Sequence, residues 1–474
     1  MSATTHQLSA IENYFRREDC ADSPMVITMR VHLAGSVDVA ALTNALAQAL
    51  TRHPLLRATC PGNWRPRWVV SEKCEPNLTV CSVESHPSSD CPERAIDLRV
   101  ETGAVFELRY SSSEAVLLAW FHHQCVDGIG ALQFLRDTFA AYDDVVLNHA
   151  VDVRPLPVPS RRVAPQTIQS VIQAIRIGFP IFRTKCVRLG RPQTITRVPA
   201  NILHSRVLNR RTTKLLRQAA NRMGVSLNDL CTSAFLTHLL QSHSETGKSP
   251  SDSREGHSVA ARTVTREVFR LLVPVNMRRP TEEEASVANF ISFLFQSYRF
   301  DEIADTDQLP RTVHRKTEAA LRTDVGKSVL LFFQLVRHVP GAYRLFRWTQ
   351  SRFATAVFAN VGDLKRVFDH RFDRERGKVV AGNLVVERID GVAPLRENTN
   401  LAVSCGRYAG ELIFNLRADP GFVSELEATE FLAQFVGRLE ESVESLERAR
   451  SGAEETADSQ VLSFPEPTQH RRAA

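Results

Sequence analysis

The 474-residue chain has no window approaching about 18 consecutive apolar residues, so no segment reads as a membrane-spanning helix. The stretch "MSATTHQLSAIENYF" lacks a basic region followed by an apolar core and does not read as a signal peptide. Walker and Gly-x-Gly-x-x-Gly patterns are absent, so nucleotide chemistry is not indicated. Basic charge is nowhere concentrated: 59 Lys and Arg nearly balance 53 Asp and Glu, for a net charge of +6. That spread argues against nucleic acid and leaves anionic cosubstrates or an acidic membrane surface open. The nine cysteines include no pair with the two-residue separation of zinc sites, so no metal is expected. They are scattered, several in apolar runs, which suits buried, reduced thiols and a cytoplasmic location. No short tandem repeat is present.

What is present is a mixture of helix and strand patterns in both halves. Val39, Leu42, Leu46 and Leu50 recur at helical spacing after Asp38, a plausible N-cap, and the helix stops at "RHPLLRA". "AVLLAWF" (115–121) is a short continuous apolar run and reads as a buried strand. Leu132, Leu135 and Phe139 then restore helical spacing. Proline and basic residues thicken from Arg154 to Arg197, which reads as a crossover between two units. Two basic apolar stretches, "IQSVIQAIRIGFPIFRTK" and "SVLLFFQLVRHVPGAYRLFRW", read as core-facing helices, with a membrane surface or an acyl tunnel as the alternative.

In the second half, a helix predicted to end at Gly224 precedes another opened by a Ser226–Asp229 capping pair. "SETGKSPSDSREGHS" reads as a mobile surface loop. "VFRLLVPVNMR" and "NFISFLFQSYRF" read as strands, and "NLAVSCGRYAGELIFNLRADP" as a hairpin turning at Ala409-Gly410. A closing amphipathic helix precedes a tail, 451–474, expected to be disordered.

The stretch most suggestive of chemistry is "WFHHQCVDGIG" (120–130). Adjacent side chains at a strand end point in opposite directions, so His122 and His123 have different jobs: one faces a cavity and the other packs behind it. A histidine whose tautomer is fixed acts as general base on a hydroxyl or amine near neutral pH. Asp127, just before the glycine, braces the loop or pairs with an arginine. A bare His-His pair reads first as two ordinary core or surface histidines before a turn, but the full spacing here is much more specific. An acyl-cysteine at Cys125 is a sharper alternative, but it needs an activated thiolate.

"HHQCVDG" resembles the HHxxxDG motif of the condensation-domain / chloramphenicol-acetyltransferase-like acyltransferase superfamily. Further segments agree in order: "LSAIENYF", "ALTNALAQALTRHPLLRA", "SLNDLCTSAF", "VPVNMRRP" with "ANFISFLF", and "VFANVGDL". Together they cover most of residues 8–445. The resemblance implies an α+β fold: two chloramphenicol-acetyltransferase-like domains in a V-shaped pseudodimer around a central tunnel. The expected units are 1–180, carrying the motif, and 181–450. By position, His123 is implied to be catalytic, His122 its structural neighbour, and Asp127 the carboxylate that pairs with an arginine. Arg278 in "VNMRR" is the expected partner, with Arg279 next and Asn276 beside them. Gly128 is implied to leave room for substrate, and Asn360 and Gly362 to contribute to the tunnel floor.

The implied reaction moves an acyl group from a thioester to a hydroxyl, giving an ester. Acyl-CoA, or an acyl carrier protein, serves as cosubstrate and no cofactor is resident. The "SLND", "VPVN" and basic apolar segments lean toward an acyl-CoA O-acyltransferase. The N-terminal Pro-Leu-Trp of the wax ester branch is missing, so donor and acceptor length stay open. A free-standing condensation enzyme with a carrier-protein donor, and a non-catalytic binding relative, remain alternatives. A monomer is expected, and peripheral membrane contact is left open.

Overall fold

The computed structural model describes residues 4–62, 66–149, 153–161, 172, 184–190, 201–246, 267–279, 285–339, 341, 343, 353–368 and 371–461. Most of the 168–185 apolar stretch, the Ser/Gly-rich loop beyond Thr246, the crossover from 191 and the tail beyond 461 lie outside them.

Among the described residues the architecture is α+β, built on two seven-stranded sheets and one small three-stranded sheet. The apolar run of the sequence is the strand Glu114–His122, buried from Ala115 onward. It lies between Val26–Ala34 and Ala104–Tyr110, antiparallel to both. One face is covered by the helices Val39–Arg52 and Gly128–Val146, which pack on each other. Phe134 of the second helix stacks on Phe106 and meets Phe121 edge-on, which fixes the helix over the strand. Rings like these bury the large apolar areas that dominate folding, roughly 1.5–3 kcal/mol per side chain.

The second sheet runs Ile291–Tyr298, Glu267–Asn276, Ala356–Asp363, Leu401–Tyr408, Glu411–Ala418, His204–Leu208, with Lys185–Cys186 pairing on Glu267–Asn276. Local signals hold well here. The helix Arg210–Met223 ends on Gly224 in the left-handed region (φ 69°). Ser226 and Asp229 bond reciprocally at the start of Leu227–Thr246. The late hairpin turns on Ala409 and Gly410, both at positive φ (49° and 88°).

Two features differ from the sequence reading. The strands Arg374–Glu375, Lys378–Ala381 and Leu384–Val392, read as nothing in particular, complete the first sheet. Leu384–Val392 pairs with Val26–Ala34, so a late segment is built into an early sheet. The closing helix runs Glu425–Val461, past the expected end near residue 450.

Gly103 sits directly behind the motif loop. Its carbonyl accepts from the His122 N–H at 2.9 Å, and a Cβ there would meet Cys125 Sγ at 2.2 Å. Gly103→Ala is expected to overpack this contact and cost about 1–3 kcal/mol. Adding Cys125→Ala should recover part of that loss. A double-mutant cycle in thermal unfolding checks it, and strictly additive changes would mean that the contact is not felt.

Candidate functional site

The strand Glu114–His122 delivers the two histidines to the edge of a cavity of about 640 Å³ between the two large sheets. His123 lines it and His122 is not among its lining residues. The His123 ring stacks on Phe15, centroids 4.0 Å apart, and is 5% exposed. Its Nδ1 lies 3.0 Å from the Val126 carbonyl oxygen. A carbonyl only accepts, so Nδ1 carries the proton and Nε2 keeps a lone pair. Burial pushes the His123 pKa down to about 4, and the nearby Asp127 charge opposes this only in part. The ring is therefore neutral at neutral pH. His122 faces the other way: Nδ1 accepts from the Gln124 N–H at 3.1 Å, and Nε2 points to Asp19 at 3.5 Å.

Asp127 caps the helix Gly128–Val146. Its Oδ1 accepts from the Gly130 N–H at 2.9 Å, which satisfies one orphan donor of the first turn. Its Oδ2 accepts from the Phe290 N–H at 2.7 Å. Arg278 Nη1 sits 2.9 Å from both carboxylate oxygens, with both side chains nearly buried. Arg278 also donates to the Ala288 carbonyl at 3.0 Å and to Asn276 Oδ1 at 3.2 Å. The expected Asp127–Arg278 pair is thus made, and Asn276 orients the arginine. Arg279 lines the cavity.

The two glycines after Asp127 differ. A Cβ on Gly128 meets nothing within 4 Å, so that position opens on the cavity. A Cβ on Gly130 would meet Arg278 Nη2 at 2.8 Å and Val126 Cγ2 at 2.5 Å, so it must be small for the arginine to approach. Asn360 lies at the cavity wall, 2.8 Å from Asn228 Oδ1, and its Oδ1 accepts from the Gly362 N–H. This joins the "SLND" helix to the late Asn-x-Gly segment, at a bulge between Asn360 and Gly362.

The sequence reading missed a five-residue latch. Ser286 N–H bonds to the Pro157 carbonyl at 3.1 Å, and Val287 N–H to His53 Nδ1 at 3.2 Å. Ala288 receives Arg278, Asn289 donates to the His123 carbonyl at 2.5 Å, and Phe290 bonds to Asp127. His53, from the "RHPLLR" segment, is held by Asp137 at 3.1 Å through its other nitrogen. Every residue of the latch is therefore tied, four of them to groups more than a hundred residues distant in sequence. No local pattern announces such bonds.

Cys125 is fully buried, away from the cavity, and burial pushes its thiol pKa well up. Geometry and thiol acidity both oppose the acyl-cysteine alternative.

Residues 15–159 match the family model of the condensation domain. The hybrid PKS-NRPS synthetase pyvA of Aspergillus violaceofuscus is 27% identical over 147 residues. That match spans 28% of this chain and only 4% of the relative. Three solved structures share the fold over nearly the whole chain. The polyketide synthase associated protein 5 of Mycobacterium tuberculosis is 17% identical, covers 92% of this chain and 97% of its own, and has a TM-score of 0.63. The first condensation domain of the CDA synthetase is 14% identical over 93% and 96%, with a TM-score of 0.62. The starter condensation domain of rhizomide synthetase RzmA, in complex with C8-CoA, is 14% identical over 92% and 94%, with a TM-score of 0.60. The chain has the fold of condensation domains and polyketide-associated acyltransferase-like proteins, and the match in its first third agrees with the resemblance carried by HHQCVDG.

Arg278→Ala leaves Asp127 buried without its cation and is expected to cost about 3–5 kcal/mol. Gly130→Ala should destabilise by obstructing the same pair, and Gly128→Ala should not. Denaturant unfolding of the three variants checks the account; equal stability of the two glycine variants would contradict it.

Proposed function

We propose that this chain is an acyltransferase that moves an acyl group from a thioester, acyl-CoA foremost, to a hydroxyl, with His123 as general base. The observation that carries the reading is the placement of His123 on the cavity wall. Its proton is committed to Val126 on one nitrogen, its ring is neutral, and it borders a cavity that Asp127 and Arg278 also line. In the proposed reaction Nε2 takes the hydroxyl proton as the oxygen attacks the thioester carbonyl. The tetrahedral adduct collapses, the C–S bond breaks, and the imidazolium returns its proton to the leaving thiolate. Such a base supplies about 10²–10⁴-fold, and holding two substrates in one cavity adds the entropic part. Asp127 serves as a positioning residue: both its oxygens are occupied by the protein.

The second reading, a carrier-protein thioester with an amine or hydroxyl acceptor, is favoured by the condensation-domain match. Incubation with acyl-CoA or an acylated carrier protein and a panel of alcohols and amines, following free thiol, separates the two. Release from acyl-CoA supports the first; release only from an acylated carrier supports the second. No release from either donor would contradict both.

His123→Ala is expected to lower the transfer rate about 10²–10⁴-fold. The base works only when deprotonated, so kcat/KM should be flat through neutral pH and fall as the pH drops through about 4. A midpoint near the ordinary histidine value of 6.5 would show that another group is titrating.

A further inference from the structure

A second cleft, of about 630 Å³, lies on the far side of the latch. Its lining has fewer carboxylates than that of the first. Arg161, Arg279, Arg322, Lys327 and Arg337 face it, against one carboxylate, Asp324. Arg322, Lys327 and Arg337 are exposed along the helices Leu309–Arg322 and Val325–Val336 and the residue that follows. Lys327 shares its charge with Asp324 at 2.8 Å, Arg322 with Glu318 at 2.6 Å, and Arg161 is committed to Glu12. Even so, cations outnumber acids around a concave surface, the arrangement that concentrates a polyanion. Among the described residues this polarity is local, because the whole chain is close to balanced.

The cleft also shares wall residues with the reaction site. Asn289 lines it and donates to the His123 carbonyl. Arg279 and Ile291 border both cavities. The His123 cavity instead offers mainly apolar walls such as Met25, Ile27, Leu272 and Phe293, and its five arginines are set against three carboxylates, Asp127, Asp363 and Asp390. A ligand with several phosphates at one end and a reactive thioester at the other fits this division. Its phosphates belong in the basic cleft, with the thioester arm directed past the latch toward His123.

We propose that the cleft at Arg322, Lys327 and Arg337 binds the 3′-phosphate and diphosphate of a coenzyme A thioester. This deepens the acyltransferase reading and rests on it for the direction of the arm. The binding itself is measurable without catalysis. Calorimetric titration of the full chain with CoA, 3′-dephospho-CoA and pantetheine should give affinity in that order, weakening as salt is raised. The Lys327→Ala/Arg337→Ala variant should bind CoA at least about tenfold more weakly, with pantetheine binding unchanged. In turnover, the same variant should raise KM for acyl-CoA and leave kcat intact.

CoA affinity insensitive to the two substitutions, or equal for CoA and pantetheine, would overturn the assignment. Binding of an acylated carrier protein without binding of CoA would overturn it as well. If CoA binds in the predicted order but no acyl transfer occurs, the cleft stands and the acyltransferase reading falls. If transfer from acyl-CoA occurs with an unchanged KM in the variant, the reading stands and the cleft assignment falls.

Discussion

The Asp127 carboxylate holds the site together. It caps a helix of the first half, bonds the Phe290 amide of the second, and pairs with Arg278, all nearly out of water. Two charges without water are costly to assemble, and the pair is sustainable only because its lone pairs and N–H groups are almost all used. The requirement spreads outward. Gly130 has to be a glycine, Asn276 has to turn the arginine, and the Ala288 carbonyl has to receive it. The same segment then places Asn289 on the His123 backbone.

This arrangement gives two neighbouring ionisable groups opposite surroundings. Asp127 is surrounded by a cation and two amides, and it holds structure together. His123 is packed against Phe15 and has no counter-charge of its own, so burial keeps it neutral. A neutral imidazole with one nitrogen committed is a base that awaits a proton. The buried thiol of Cys125, two residues on, is held protonated by the same dryness and is turned to packing.

Much of this was legible from local pattern. Asp38, Gly224, Ser226 with Asp229, and the Ala409-Gly410 turn all act within a few residues of themselves, where sequence carries the physics directly. Alternation along a strand separates His122 from His123 on sequence alone. The Asp127–Arg278 pair spans 151 positions and came from resemblance, not from spacing. What escaped was non-local and made of backbone. The latch at 286–290 consists mostly of main-chain N–H and C=O groups, which look alike in every sequence. The strand Leu384–Val392 finds its partner only through register with Val26–Ala34. Asn289 was inside a quoted strand segment, yet nothing in "ANFISFLF" says that its amide reaches His123.

The proposed catalysis depends on a neutral His123, protonated on Nδ1 and open on Nε2. Nitrogen-15 NMR of histidine-labelled protein, with His123→Gln for assignment, measures both properties across a pH series. The account predicts a neutral Nδ1–H ring that takes up its second proton only near pH 4. A ring protonated on Nε2, or one that titrates at the ordinary 6.5, would contradict it.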